Sequence, residues 1–323
     1  MSGTCRKPAM FAILNIVIPV FAVVALGNLA VRFRVFPTEG VRGLVVFVNN
    51  FAAPCLLFDA MLRSDFGTAF NLGIIGPFYA GALFSLVAGT VIAIRIFGNK
   101  PGEAVSSGFA AMFSNTVLLG IPILQRAYGD AALPVVFSII AFHAPVLITL
   151  GMVVMELVRR DAAPLHRALG SAALRILSNP LLWGVALGLL ANANKLVLPE
   201  PALAFLAMMS AAVLPAALFG MGGALNEYRL ADNWPQALAM ATFQLVVHPA
   251  IAWVLMVPVL GVDPAIARYG VLLAAMPAGI NVYVFATYYK RGVTVATNTV
   301  LISTVASIVT VSAWLYVLSP ASS

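Results

Sequence analysis

The chain of 323 residues is 62% hydrophobic and only 9% charged, with a mean hydropathy of +1.01. A soluble domain is about half apolar and a quarter charged, so this composition excludes an ordinary soluble protein. It supplies enough apolar residues for about ten membrane helices of ~20 residues each. The net charge of +7 is read as Lys and Arg retained in cytoplasmic loops, and no nucleic-acid partner is inferred from it.

Ten apolar spans are expected, at 10–31, 41–62, 70–97, 103–126, 131–158, 176–194, 201–225, 235–260, 264–289 and 293–318. Continuous apolar runs of this length are too long for buried strands and do not alternate as barrel strands do. The first is preceded by Arg6 and Lys7, but its apolar stretch is too long for a signal peptide. Span two carries Phe51-Ala-Ala-Pro54-Cys-Leu-Leu-Phe58, and span seven carries a similar Ala212-Val-Leu-Pro215-Ala-Ala-Leu-Phe219. Late in span two stands Asp59, which is either neutral or paired inside the membrane or an interfacial residue beside Arg63 and Asp65. Span four is interrupted by Ser114-Asn115-Thr116-Val-Leu-Leu-Gly120-Ile121-Pro122, and span nine by Met276-Pro277-Ala278-Gly279-Ile280-Asn281. His143 sits in the middle of span five, where it makes either a helix–helix hydrogen bond or a substrate or proton contact. His248 before Pro249 in span eight is similar, and Glu156 near Arg159 and Arg160 reads as an interfacial ion pair.

Counted with the loops they adjoin, 12 Lys and Arg follow the odd-numbered spans, against 6 in the N-terminal tail and after the even ones. The first set is therefore cytoplasmic and both termini face outward. The basic connector 159–175 divides the chain into a block of five spans over 1–158 and another over 176–323. An odd number of spans per block gives the two blocks opposite orientations, the pattern of inverted-repeat transporters. Proline and glycine within a span break the helix, and broken backbone at membrane depth persists only where protein or a wet cavity satisfies it. Paired breaks in two inverted halves are therefore the strongest pointer to a substrate site. They select Asn115, Gly120, Pro122, Pro277, Gly279 and Asn281, with His143 nearby and Asp59 or His143 as coupling candidates, proton coupling or uncoupled export down the potential being favoured over sodium.

Enzyme chemistry has little to draw on. The sequence has no phosphate loop, no His-Glu-x-x-His helix and no Gly-x-Ser-x-Gly elbow, and the two cysteines, Cys5 and Cys55, form no disulfide framework or metal cluster. No enzyme activity, cofactor or metal is expected.

Five motifs in order resemble the auxin efflux carrier family: Phe51-Ala-Ala-Pro54, Asn115-Thr-Val-Leu-Leu-Gly120-Ile-Pro122, Asn179-Pro180, His248-Pro249 and Met276-Pro277-Ala-Gly279-Ile-Asn281. The resemblance implies an all-α membrane protein of ten helices in two inverted five-helix repeats. Spans one, two, six and seven would form a scaffold. Spans three to five and eight to ten would form a transport domain in which the broken helices four and nine cross. It further implies a homodimer in the lipid bilayer that carries a small organic carboxylate such as malonate or an auxin-like acid. The connector of about 17 residues fits a bacterial inner-membrane carrier and departs from the long central loop of many plant members. Ser114 also stands where plant carriers have proline. A membrane sensor that keeps the carrier fold without transport is the alternative.

Overall fold

An apolar segment in lipid has no water to satisfy its N–H and C=O groups, so it must pair them within itself as a helix. The computed structural model describes residues 10–63, 70–158, 177–178, 180–227 and 232–319, and among these residues it is helical with no strand. The tail holding Cys5, Arg6 and Lys7, the last residues of the chain, Asp65, the connector 159–175 and Asn179 lie outside the described residues.

In chain order the helices are α1 (Met10–Arg32), α2 (Thr38–Phe47), α3 (Ala53–Arg63), α4 (Leu72–Arg95), α5 (Pro101–Met112), α6 (Ile121–Tyr128) and α7 (Leu133–Val158). Then come α8 (Pro180–Ala193), α9 (Glu200–Ala224), α10 (Trp234–Thr242), α11 (His248–Val254), α12 (Pro264–Ala274), α13 (Ile280–Tyr289) and α14 (Val293–Leu318). Seven segments are long and apolar enough to cross a bilayer as one helix: the expected spans one, two, three, five, seven, eight and ten. The other three expected spans are not single long helices. Spans four and nine are split into α5 and α6, and into α12 and α13, while the helix α8 of span six has 14 residues.

Three of the joins share one cause. Proline cannot donate to the carbonyl four residues back, and its ring crowds that carbonyl. The chain responds by widening the turn before it. Ala53, Ile121 and His248, each directly preceding a proline, donate to Val48 O, Thr116 O and Phe243 O, five residues back. These one-turn π segments let α2 run on into α3 and α10 into α11 as bent but continuous spans. The carbonyl of Leu245, four residues before Pro249, takes its hydrogen bond from the Trp314 indole at 2.9 Å.

Two close helix crossings hold the first group together. α1 packs along α9 and α3 packs along α8, with α2 against α9. Both crossings bring backbone against backbone, as small residues permit in membranes. A Cβ on Gly222 would stand 1.8 Å from Val24 O, and one on Gly27 would stand 2.1 Å from Phe219 O. On the other crossing, Cβ atoms at Gly184 and Gly188 would meet Pro54 O at 2.5 Å and Phe58 O at 2.6 Å. The second group packs α4 on α5 and α11, α10 on α14, and α11 on α12.

Because the clashing atom at Gly222 is backbone, no rotamer change relieves it. Gly222→Ala should cost about 3 kcal/mol by overpacking and lower the melting temperature of the detergent-solubilised protein. Gly43→Ala, inside α2 with nothing within 4 Å, should not lower it.

Candidate functional site

The two split spans meet where they are split. α5 ends at Met112 and the chain runs extended through Phe113 to Asn115 before a π turn at Thr116–Gly120 leads into α6. α12 ends at Ala274, and residues 275–279 carry the chain to α13. Ser114 and Ala278 stand opposite each other as an antiparallel bridge. Asn115 N–H donates to Pro277 O at 2.7 Å, and Gly279 N–H donates to Phe113 O at 3.0 Å.

The groups this bridge leaves over find side chains. Ser303 Oγ on α14 accepts from Ala278 N–H at 3.0 Å. The fully buried Gln244 amide donates to Ser114 Oγ and to Met276 O, the latter at 3.1 Å. Asn115 Oδ1 accepts from Leu118 N–H at 3.2 Å and so caps the turn that follows, while its Nδ2 faces Met221 Sδ on α9 at 3.3 Å. His143 Nε2 lies 3.0 Å from Ser114 O. A carbonyl only accepts, so Nε2 carries the hydrogen, and in the neutral ring Nδ1 carries the lone pair. The ring is held by Phe113, at 4.6 Å between centroids, and by the edge of Phe78 at 5.7 Å. Phe78 also meets His248 at 5.0 Å, and His248 Nε2 donates to Phe78 O at 2.9 Å.

Beside the bridge lies a cavity of about 330 Å³. Its walls come from the break in span four, the start of α13, the middle of α7, the π turn of span two and the start of α8. The polar lining consists of Asn49, Asn50, Ser114, Asn115, Thr116, His143, Thr149 and Asn281, and among the described residues no Asp, Glu, Lys or Arg lines it. A cavity of this size holds one small organic molecule, and a few placed polar groups fix its orientation.

Of the residues singled out from sequence, Asn115, His143, Gly279 and Asn281 line this one cavity. Pro277 lends its carbonyl to the bridge behind the cavity wall. Gly120 packs against α12, where a Cβ would stand 2.7 Å from Leu273 Cδ1. Pro122 is buried in the first turn of α6. The interruption of span four is thus at Phe113–Asn115, upstream of the Gly120–Pro122 pair expected to make it, because Pro122 widens the turn before it without ending the helix. Asp59 is elsewhere: it pairs with Arg63 at 2.8 Å and faces a separate cavity with Gln125, Asp130 and Ser210. Sequence reasoning passed over Gln244, Ser303, Thr149 and the Asn49-Asn50 pair. The available signal was that each is a polar residue inside an apolar span, where such side chains face the protein interior.

Removing one donor or acceptor behind the bridge strands a buried backbone group, at about 1–3 kcal/mol. Ser303→Ala, which orphans Ala278 N–H, should therefore lower the melting temperature measurably. Ser312→Ala, whose exposed hydroxyl only bonds its own helix at Ile308 O, should not.

Residues 12–315 match the model of the family described as membrane transport protein. A relative from Rhizobium meliloti (strain 1021) described as "Putative malonate transporter" is 28% identical over 96% of this chain and 97% of its own length. A mouse (Mus musculus) protein named lysosomal cholesterol signaling protein is 27% identical over 91% of this chain, which spans 36% of that protein. Auxin efflux carrier component 8 of Arabidopsis thaliana is 24% identical over 48% of this chain and 44% of its own length. The chain belongs to the membrane transport protein family, the family of the auxin efflux carriers.

Proposed function

We propose that this membrane protein carries small organic carboxylates across the bilayer, binding them in the cavity beside the Ser114–Ala278 bridge. The observation that carries the reading is the bridge itself, two interrupted spans pairing their backbones next to a small cavity lined by neutral amides and hydroxyls. Amide donors such as those of Asn115 and Asn281 can hydrogen-bond a carboxylate without a fixed positive charge, which lets the anion bind and also leave. The Rhizobium relative's name supports a dicarboxylate such as malonate as the first candidate.

The proposal includes ten spans in two inverted halves, with α1, α2–α3, α8 and α9 as the frame and the remaining helices as the moving body. Support comes from the two backbone-on-backbone crossings. Shifting every span by five turns the contact of spans one and seven into that of spans six and two, which are the α1–α9 and α3–α8 pairs. The cavity walls from α7 and α8 include Thr149 and Pro180, on the stretches of those helices nearest in the chain to the connector 159–175. With the connector cytoplasmic, the cavity faces inward and both termini face outward, in a bacterial inner membrane. The functional unit in this reading is a homodimer, without a resident cofactor.

A second reading, a sensor that binds a ligand without net transport, draws on the mouse relative named for signaling. Proteoliposomes loaded with radiolabelled malonate or other small carboxylates separate the two, since only a carrier releases the label. Asn281 is exposed at the cavity, so Asn281→Ala removes an anion contact with little cost to packing. Loss of one hydrogen bond to a charged group is worth about 1.5–3 kcal/mol, so that variant should raise KM for the transported carboxylate at least tenfold with protein yield and melting temperature intact. An unchanged KM would remove Asn281 from the site.

A further inference from the structure

The cavity poses a charge problem that its lining leaves to one residue. An anion moved from water into a site walled by apolar side chains and neutral dipoles loses hydration that those dipoles only partly replace. Among the described residues no Lys or Arg reaches the cavity to offset this, and no Asp or Glu lines it. His143 alone in the lining can change its charge. It is 2% exposed, its Nε2–H is committed to Ser114 O, and its Nδ1 is a buried polar atom with no partner.

Resting on the carboxylate reading above, we propose that His143 takes up a proton at Nδ1 when the anion enters, so that carboxylate and proton occupy the cavity together. The proton comes from water at the cavity mouth, and the new Nδ1–H donates to the carboxylate oxygen. Nε2–H already donates to the break carbonyl, and the entering anion supplies the acceptor for the second N–H of the charged ring. Charge-assisted bonds of this kind are about twice as strong as neutral ones.

The groups facing His143 from the surrounding elements leave it as the site of protonation. From α4 come the ring of Phe78 and Tyr79, whose hydroxyl donates to Ile139 O. From the break come Phe113 and Ser114. Asn49 and Asn50 of span two, Pro180 and Leu181 of α8, and Asn281 of α13 complete the walls, and none of them titrates. The other histidine among the described residues, His248, stands behind Phe78 on α11 and does not line the cavity.

The test is calorimetric titration of malonate, acetate and an aromatic acetate into purified protein at pH 6.5, 7.2 and 8.0, each in two buffers of different ionisation heat. The buffer dependence counts the protons taken up on binding. For a carboxylate that binds, the expected result is close to one proton per anion and a Kd rising about tenfold per pH unit. His143→Gln, whose amide can still donate to Ser114 O, should bind more weakly, with a Kd independent of pH and no proton uptake. Wild-type binding that ignores pH overturns the proposal and leaves the carboxylate reading standing. A pH slope that persists in His143→Gln also overturns it, by placing the proton on the ligand. Absence of binding by all three acids at every pH overturns the carboxylate reading and this proposal with it. If His143→Gln does not fold, His143→Asn takes its place in the same comparison, and a wild-type proton count of zero overturns the proposal by itself.

Discussion

Two stretches of backbone, 113–115 and 275–279, leave the helical state inside a segment of chain that has no lipid-side partner for them. Every unsatisfied N–H or C=O there would cost several kcal/mol. The protein meets the constraint by giving each break the other as its partner, through Asn115 N–H to Pro277 O and Gly279 N–H to Phe113 O. Much else around the site follows from this pairing. It fixes the crossing of spans four and nine, sets α14 where Ser303 can serve Ala278, and sets α10–α11 where Gln244 can serve Ser114 and Met276. It also frees Ser114 O to orient His143.

The same accounting explains why the cavity is built from neutral groups. The polar atoms near the crossing are there first to complete the backbone, and several have no capacity left. The Gln244 NH₂ group lies amid Ser114 Oγ, Ala274 O and Met276 O, a cluster of oxygens that the amide itself satisfies. Asn115 is divided between capping its own turn and touching Met221. What remains available to a ligand is the second Nδ2 hydrogen of Asn115, the exposed Asn281, the hydroxyl and amide groups of span two and α7 and, in the proposal above, Nδ1 of His143. A site with so few free groups has room for a small molecule, and the short carboxylate proposed above is of that size.

Apolar run length made the seven long helices readable in the sequence, and proline with glycine marked the two expected spans that are split. The location of the split in span four was harder to read. Pro122 is the stronger local breaker, yet it only widens the turn Thr116–Gly120 that runs on into α6, and the extended residues are Phe113–Asn115, whose types alone do not forbid a helix. Four of the residues selected from sequence share the cavity, because polar or break-forming residues at matching depth converge when the two spans cross. Asp59 reads from sequence equally well as an interior or an interfacial carboxylate, and its Arg63 partner one turn on became decisive only with the helix geometry. Gln244, Ser303 and Trp314 serve groups 32, 25 and 69 residues away in the chain, and a single sequence carries no record of such pairings.

The pairing of the two breaks can be tested in the membrane directly. Residues facing each other across an antiparallel pair of this type have Cα atoms about 4.5 Å apart, within the range of about 4.4–6.8 Å that a disulfide spans. Ser114→Cys with Ala278→Cys, in a chain whose Cys5 and Cys55 are replaced by serine and whose connector 159–175 carries a protease site, would report on it. Under mild oxidation the two halves should stay joined after cleavage and separate only on reduction. Halves that separate without reductant, from a variant that is folded and monodisperse, would contradict the crossing on which this account rests.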